Sequence, residues 1–221
     1  MPLSTFLLPA PPLSHGLTST TFVAPPLDGS ITIPQMFDHH AAHSPNHPVF
    51  LYEDGPGNKI FIHWKEIHQA TGRVARYMEA QGISAATEGP KIIAILAVLD
   101  SITYFTLVHG IIRLGHVPFP ISPRNSPAAI AHLLTGTHAS HILVSGGPSM
   151  QGLWAGAAAV LQGGSRHPVK ALPTPFYRDL YENRLDENVL PTPSTYKAHL
   201  SDVGMILHTS GEPRTFDSPR N

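Results

Sequence analysis

Over residues 91–164 short apolar runs alternate with longer helical segments, and this alternation restricts the fold more than any other feature of the 221-residue chain. The run "KIIAILAV" has no polar side chain after Lys91, as a strand covered on both faces requires. It is followed by "SITYFTLVHGIIRLG", a mostly apolar helix with Asp100 or Ser101 as its cap, and then by a second strand, "HVPFPIS". The pattern continues with the helix "SPAAIAHLLTGT", the strand "HILVS" and the helix "SMQGLWAGAAAVLQGG". Strands that alternate with helices in this way lie parallel, joined by right-handed crossovers. The predicted class is therefore α/β, a layered sheet built of parallel βαβ units.

Upstream, residues 1–30 hold six prolines (Pro2, Pro9, Pro11, Pro12, Pro25 and Pro26), which resist both helix and sheet and predict a disordered leader. Pro34 suits the first turn of a short helix through "QMFDHHAAHS", and "VFLYED", "GPGN" and "KIFIHW" read as strand, turn and strand. Trp64, Ile67, Thr71, Val74 and Met78 recur at steps of three and four, which predicts a helix with one core face, closed by Gly82. Between Pro173 and Pro193 the pattern dissolves into a surface excursion or a short helix around "FYRDLYENRL". "DVGMILHT" then reads as one more strand.

Composition removes several functions. Lysine plus arginine number 14 against 15 acidic residues, so the net charge of -1 favours neither nucleic acid nor an anionic membrane as partner. No cysteine is present, which excludes disulfides, a thiolate nucleophile and sulfur-ligated zinc. The longest apolar run, 92–99, is far shorter than the roughly 20 residues of a membrane span. The start lacks the basic segment of a secretory signal, and no glycosylation sequon occurs, so a cytoplasmic location is expected.

The common catalytic signatures are absent: there is no Walker loop, dinucleotide fingerprint, zincin helix or nucleophile elbow. His39, His40 and His43 have helical spacing, but a metal needs about four ligands and a supporting shell, so no metal site is expected. Tyr104, Phe105 and His109 sit on an apolar helix and are read as core. Thr209, Ser210 and Gly211 are the strongest candidates. Their hydroxyls and open backbone follow an apolar run, and in an α/β sheet the ligand lies beyond the carboxyl ends of the strands.

Taken in order, "IFIHWKEIHQATGRVARYM", the 91–145 alternation and "DVGMILHTSG" resemble the opening part of the adenylate-forming (AMP-binding) enzymes, a family that includes acyl-CoA synthetases, luciferases and peptide-synthetase adenylation domains. "RLGHVPFPISPRNSP" is most similar to the adenylation domain of fungal peptide-synthetase-like reductases related to aminoadipate reductase. The resemblance implies the first subdomain of that fold over 31–211. It also implies a Thr-Ser-Gly-Ser/Thr-Thr-Gly-x-Pro-Lys loop that holds the β- and γ-phosphates of ATP. Thr209, Ser210 and Gly211 match its first three positions. Glu212 then stands in place of a hydroxyl and Pro213 in place of threonine, so 212–221 is read as a divergent tail, and the chain as truncated inside the loop.

In full-length relatives the resemblance implies ATP with magnesium as cofactor, a carboxylic acid as substrate and a carrier-protein thiol as acceptor. For this chain it implies no catalytic residue, no tightly bound cofactor and no activity alone. Two other readings remain at this stage: a non-catalytic fragment that binds a partner or a complementary piece, and a free-standing metal or small-ligand binder using the histidine-rich helix, which requires that metal raise stability.

Overall fold

The computed structural model describes residues 18–164, 168–182 and 202–208, and the chain divides into two compact units. The second unit, made of Lys91–Val98, Val117–Thr174 and Ala198–Asn221, contains the predicted parallel sheet. Its strands are β3 (Ile92–Leu96), β4 (Val117–Pro120), β5 (His141–Val144) and β6 (Lys170–Pro173), in the order β4-β3-β5-β6, with every pairing parallel. Helices α4 (Pro127–Gly136) and α5 (Pro148–Gly164) cover it. Ser126 caps α4 by accepting a hydrogen bond from the Ala129 N–H, and Pro127 occupies the first turn, where a missing donor costs nothing. Phe119, Ile130, Leu134, Ile142 and Ala157 are wholly buried in the resulting core.

The first unit holds α1 (Ile33–His43), the antiparallel hairpin of β1 (Pro48–Glu53) and β2 (Lys59–His63), α2 (Trp64–Ala80), α3 (Ser101–Arg113) and α6 (Tyr177–Tyr181). Thr32 and Gln35 close a reciprocal capping box on α1. α2 ends where predicted: Gly82 takes φ 88°, and the Ile83 N–H bonds back to the Met78 carbonyl at 2.9 Å. Asp38 ties three helices together, its Oδ1 accepting from His68 Nε2 at 2.8 Å and from Arg113 Nη2 at 2.7 Å. Burial raises the affinity of that carboxyl for a proton, but the two donors outweigh it and hold Asp38 below the usual carboxylate range.

Three expectations change. β6 had no sequence signal, because four residues that follow Pro168 and end in Pro173 show no periodicity; an edge position tolerates such a strand. The leader reading covers residues of which 1–17 lie outside the described part. Residues 18–30 form neither helix nor strand, yet the Val23 N–H donates to Ser44 Oγ at 2.8 Å and the Phe22 ring packs on His40 and His47. At 21–23 this stretch is thus in contact with residues of the first unit.

The third change concerns "DVGMILHT". Residues 203–208 form no regular strand, although the Ile206 N–H donates to the Pro118 carbonyl at 3.1 Å. The reason lies in β4. The Val117 and Ile121 N–H groups bond to Lys91 and Ile95, so the nitrogens of Pro118 and Pro120 face the opposite edge. Neither nitrogen carries a hydrogen. A neighbour on that edge can donate to β4 but receives nothing back from residues 118 and 120, and no ladder forms.

Candidate functional site

Beyond the carboxyl ends of the parallel strands, the loops of the second unit are bound to one another. The Ser145 N–H reaches the Leu96 carbonyl at 3.3 Å, Ser145 Oγ accepts from the Val98 N–H at 3.2 Å, and Gln151 Nε2 donates to the Ser145 carbonyl at 3.0 Å. After β4, Asn125 N–H turns back to the Ser122 carbonyl at 3.1 Å. Residues 206–208 run in the same sense as β4 and arrive at this end of the sheet, where His208 Nε2 accepts from the Ser122 N–H at 3.0 Å. Asn125 Nδ2 lies 3.4 Å from the same nitrogen, and the His208 ring meets the edge of Phe119 at 6.2 Å between centroids.

The candidate phosphate-binding residues Thr209, Ser210 and Gly211 lie outside the described residues, as do Glu212 and Pro213. The described chain leads to them through His208. Sequence reasoning overlooked His208, Ser122 and Asn125 as a group. The available signal was the pair of prolines in "VPFPIS", which leaves the Ser122 N–H as the next donor on that edge of β4.

The histidines of α1 separate in space. His39 and His43 face each other at 4.5 Å between ring centroids, whereas the His40 ring stacks on Trp64 at 4.3 Å. Among the described residues no group of three or more His, Asp or Glu side chains is arranged to hold a metal. Phe105 and His109 pack with Phe37, at 6.0 and 4.7 Å, as the core reading of that helix requires. A polar cleft of about 240 Å³ in the first unit is lined by Lys65, Glu66, Gln69 and Arg73 of α2. Its walls are engaged internally: Arg73 Nη1 donates to the Leu180 carbonyl at 2.6 Å and Glu66 accepts the His63 N–H at 2.9 Å.

His40 supplies a pH dependence. Burial, assisted by the neighbouring His39 and His47, pushes its imidazole down to about 4 from an ordinary 6.5. Between these values the unfolded chain binds a proton that the folded chain excludes, so the His40 contribution to stability is full above pH 6.5 and is lost as pH falls toward 4. Urea midpoints at pH 7 and pH 5 should differ less in His40→Phe than in the parent chain. An equal acid shift in both would show that other groups carry the effect.

The fold and this arrangement define an α/β protein of the class whose ligands bind beyond the carboxyl ends of parallel strands. The chain belongs to the AMP-binding enzyme family, whose model matches residues 37–211. It is 44% identical to the adenylate-forming reductase Nps10 of Heterobasidion annosum over 92% of this chain and 19% of that protein. It is 36% identical to the adenylate-forming reductase Nps11 of Serpula lacrymans over 87% of this chain and 18% of that protein. The chain thus spans about a fifth of the length of these curated relatives. The fold is also that of an artificially fused adenylation–PCP di-domain, NpsA-ThdA from Klebsiella oxytoca, with a TM-score of 0.55, 17% identity and coverage of 80% of this chain and 28% of that one. Among the described residues no helix is long and apolar enough to cross a membrane.

Proposed function

We propose that the chain is the opening part of an adenylation domain whose whole protein activates a carboxylic acid with ATP. In this reaction a carboxylate oxygen attacks the α-phosphorus, the bond to the bridging oxygen breaks, and pyrophosphate leaves with the electron pair. A carrier thiol then attacks the acyl carbon, a thioester forms, and AMP leaves with the electron pair of the broken C–O bond. The observation that carries the reading is the delivery of residues 206–208 to the carboxyl end of the parallel sheet, directly before Thr209, Ser210 and Gly211.

The residue chemistry fits the role in part. The Thr209 and Ser210 hydroxyls and the Gly211 N–H are donors suited to the β- and γ-phosphate oxygens. Magnesium, when bound with ATP, would neutralise charge on those oxygens. Glu212 does not fit, since a carboxylate a few ångströms from phosphate in a partly desolvated site costs on the order of a few kcal/mol. Pro213 offers no N–H and restricts the residue before it.

The 221-residue chain by itself is therefore expected to give no acid-dependent ATP–pyrophosphate exchange. Glu212→Ser combined with Pro213→Thr should tighten triphosphate binding only slightly and produce no turnover. Exchange above a protein-free blank, dependent on added acid, would refute the inactivity of the isolated chain and make Thr209 and Ser210 part of a working site.

A further inference from the structure

The backbone N–H and C=O groups of an extended chain alternate between its two edges, and Ile206 faces β4 through its bond to the Pro118 carbonyl. Val203, Met205 and Leu207 therefore face away from β4, and none of the three makes a backbone hydrogen bond among the described residues. Their side chains lie on the sheet face opposite to that of Ile206, which packs against the core around Phe119. They are 57%, 40% and 73% exposed, so an open row of backbone donors and acceptors coincides with an apolar stripe.

Proteins protect such edges with charge or proline. The far edge of the same sheet follows this practice, since β6 begins at Lys170 and ends at Pro173. Residues 203–207 carry neither.

The segment is its own complement. Antiparallel pairing of two copies about Met205 sets Met205 against Met205 and Val203 against Leu207, so the residues that face the open edge on one copy meet those that face it on the other. Each of these pairs can exchange two N–H···O bonds. One step further out, Asp202 of one copy stands opposite His208 of the other. His208 Nε2 accepts the Ser122 N–H, which places the ring hydrogen on Nδ1 and makes that nitrogen a donor to a carboxylate. Parallel pairing in register would instead oppose Asp202 to Asp202 and leave a further edge open.

We propose that residues 203–207 are a self-association edge: a second copy of this chain pairs with them antiparallel about Met205, and the two parallel sheets join into one continuous sheet across a two-fold axis. The second copy supplies the ladder that Pro118 and Pro120 deny on the β4 side. The contact is isologous and closes at two copies. Only a short strand per copy takes part, so the dimer is weak and its population follows concentration.

Sedimentation velocity on the full chain tests the proposal. The weight-average mass of the parent should climb from monomer toward dimer across about a hundredfold range of concentration. Met205→Lys and Met205→Glu each oppose like charges at the axis and should stay monomeric throughout. An equimolar mixture of the two should recover the dimer, and added salt should weaken it again. That recovery also shows that both variants are folded. Val160→Lys, at an exposed apolar position on α5, should behave as the parent does. A parent that stays monomeric at every concentration would overturn the proposal and leave the edge to some other partner. Dimerisation of Met205→Lys alone at the parental level would place the contact elsewhere, and a mixture that stays monomeric would overturn the pairing of Met205 with itself. Growth beyond the dimer would overturn the closed, two-fold arrangement.

Discussion

A Phe119→Ala variant is expected to lose about 3–5 kcal/mol of stability, the range for truncating a fully buried aromatic ring. Phe119 has no exposed surface and packs in one cluster with Leu96, Ile130, Leu134 and Ile142. It sits between Pro118 and Pro120, whose fixed φ angles leave β4 little freedom to collapse into the space. The cost should therefore fall toward the upper end of the range. Set against a total of about 5–15 kcal/mol for a domain, that is a large fraction, and the urea midpoint should drop accordingly. A loss under about 1 kcal/mol would mean that the sheet repacks around the gap, contrary to the packing described.

Alanine at two helical glycines should act with opposite signs. A Cβ on Gly110 of α3 would collide with the Val74 side chain and come within 3.2 Å of the Thr71 carbonyl, and both partners belong to α2. Val74 is completely buried, so it cannot swing into solvent to make room. Overpacking of this kind costs about 1–3 kcal/mol, which exceeds the gain of up to about 1 kcal/mol from replacing glycine within a helix. Gly152, in α5, has nothing within 4 Å of its added Cβ. Gly152→Ala should therefore stabilise by about 0.5–1 kcal/mol. Thermal midpoints of the two variants measured side by side decide the matter, and a stabilising Gly110→Ala would show that α2 and α3 are free to separate.

What the sequence makes legible follows the range of the interactions involved. Ile67, Val74 and Met78 announce α2 because a helix is specified by neighbours three and four apart, and all three are fully buried. The strand "KIIAILAV" is equally plain, since burial on both faces removes its polar residues. The extended segment at 202–208 is misread as a strand because its state depends on which strand lies beside it and on that strand's missing donors. Met205, Ile206 and Leu207 look like a strand in isolation; Pro118 and Pro120, some ninety residues earlier, decide otherwise. The same separation hides His208. Nothing within its own neighbourhood indicates that its ring accepts the Ser122 N–H, whereas Thr209, Ser210 and Gly211 are visible as a motif because their chemistry is contiguous.

The division of the chain between its two units bears on how such a protein can be cut and recombined. β3 and β4 belong to the second unit, yet the residues that join them, Leu99–His116 with α3, belong to the first. No single break in the polypeptide separates the two. An expression boundary at 90/91 would deprive the first unit of the helix that carries Gly110 and Arg113, and with Arg113 one of the two donors that hold Asp38. The second unit, in turn, must close a long excursion before β3 and β4 can pair, an entropic cost that rises slowly with loop length and falls on the folding rate rather than on the final stability. The units are therefore interleaved rather than modular: exchange between relatives that respects the fold must take residues 99–116 together with the N-terminal segment whose helices α3 packs against, and leave 91–98 with the second unit.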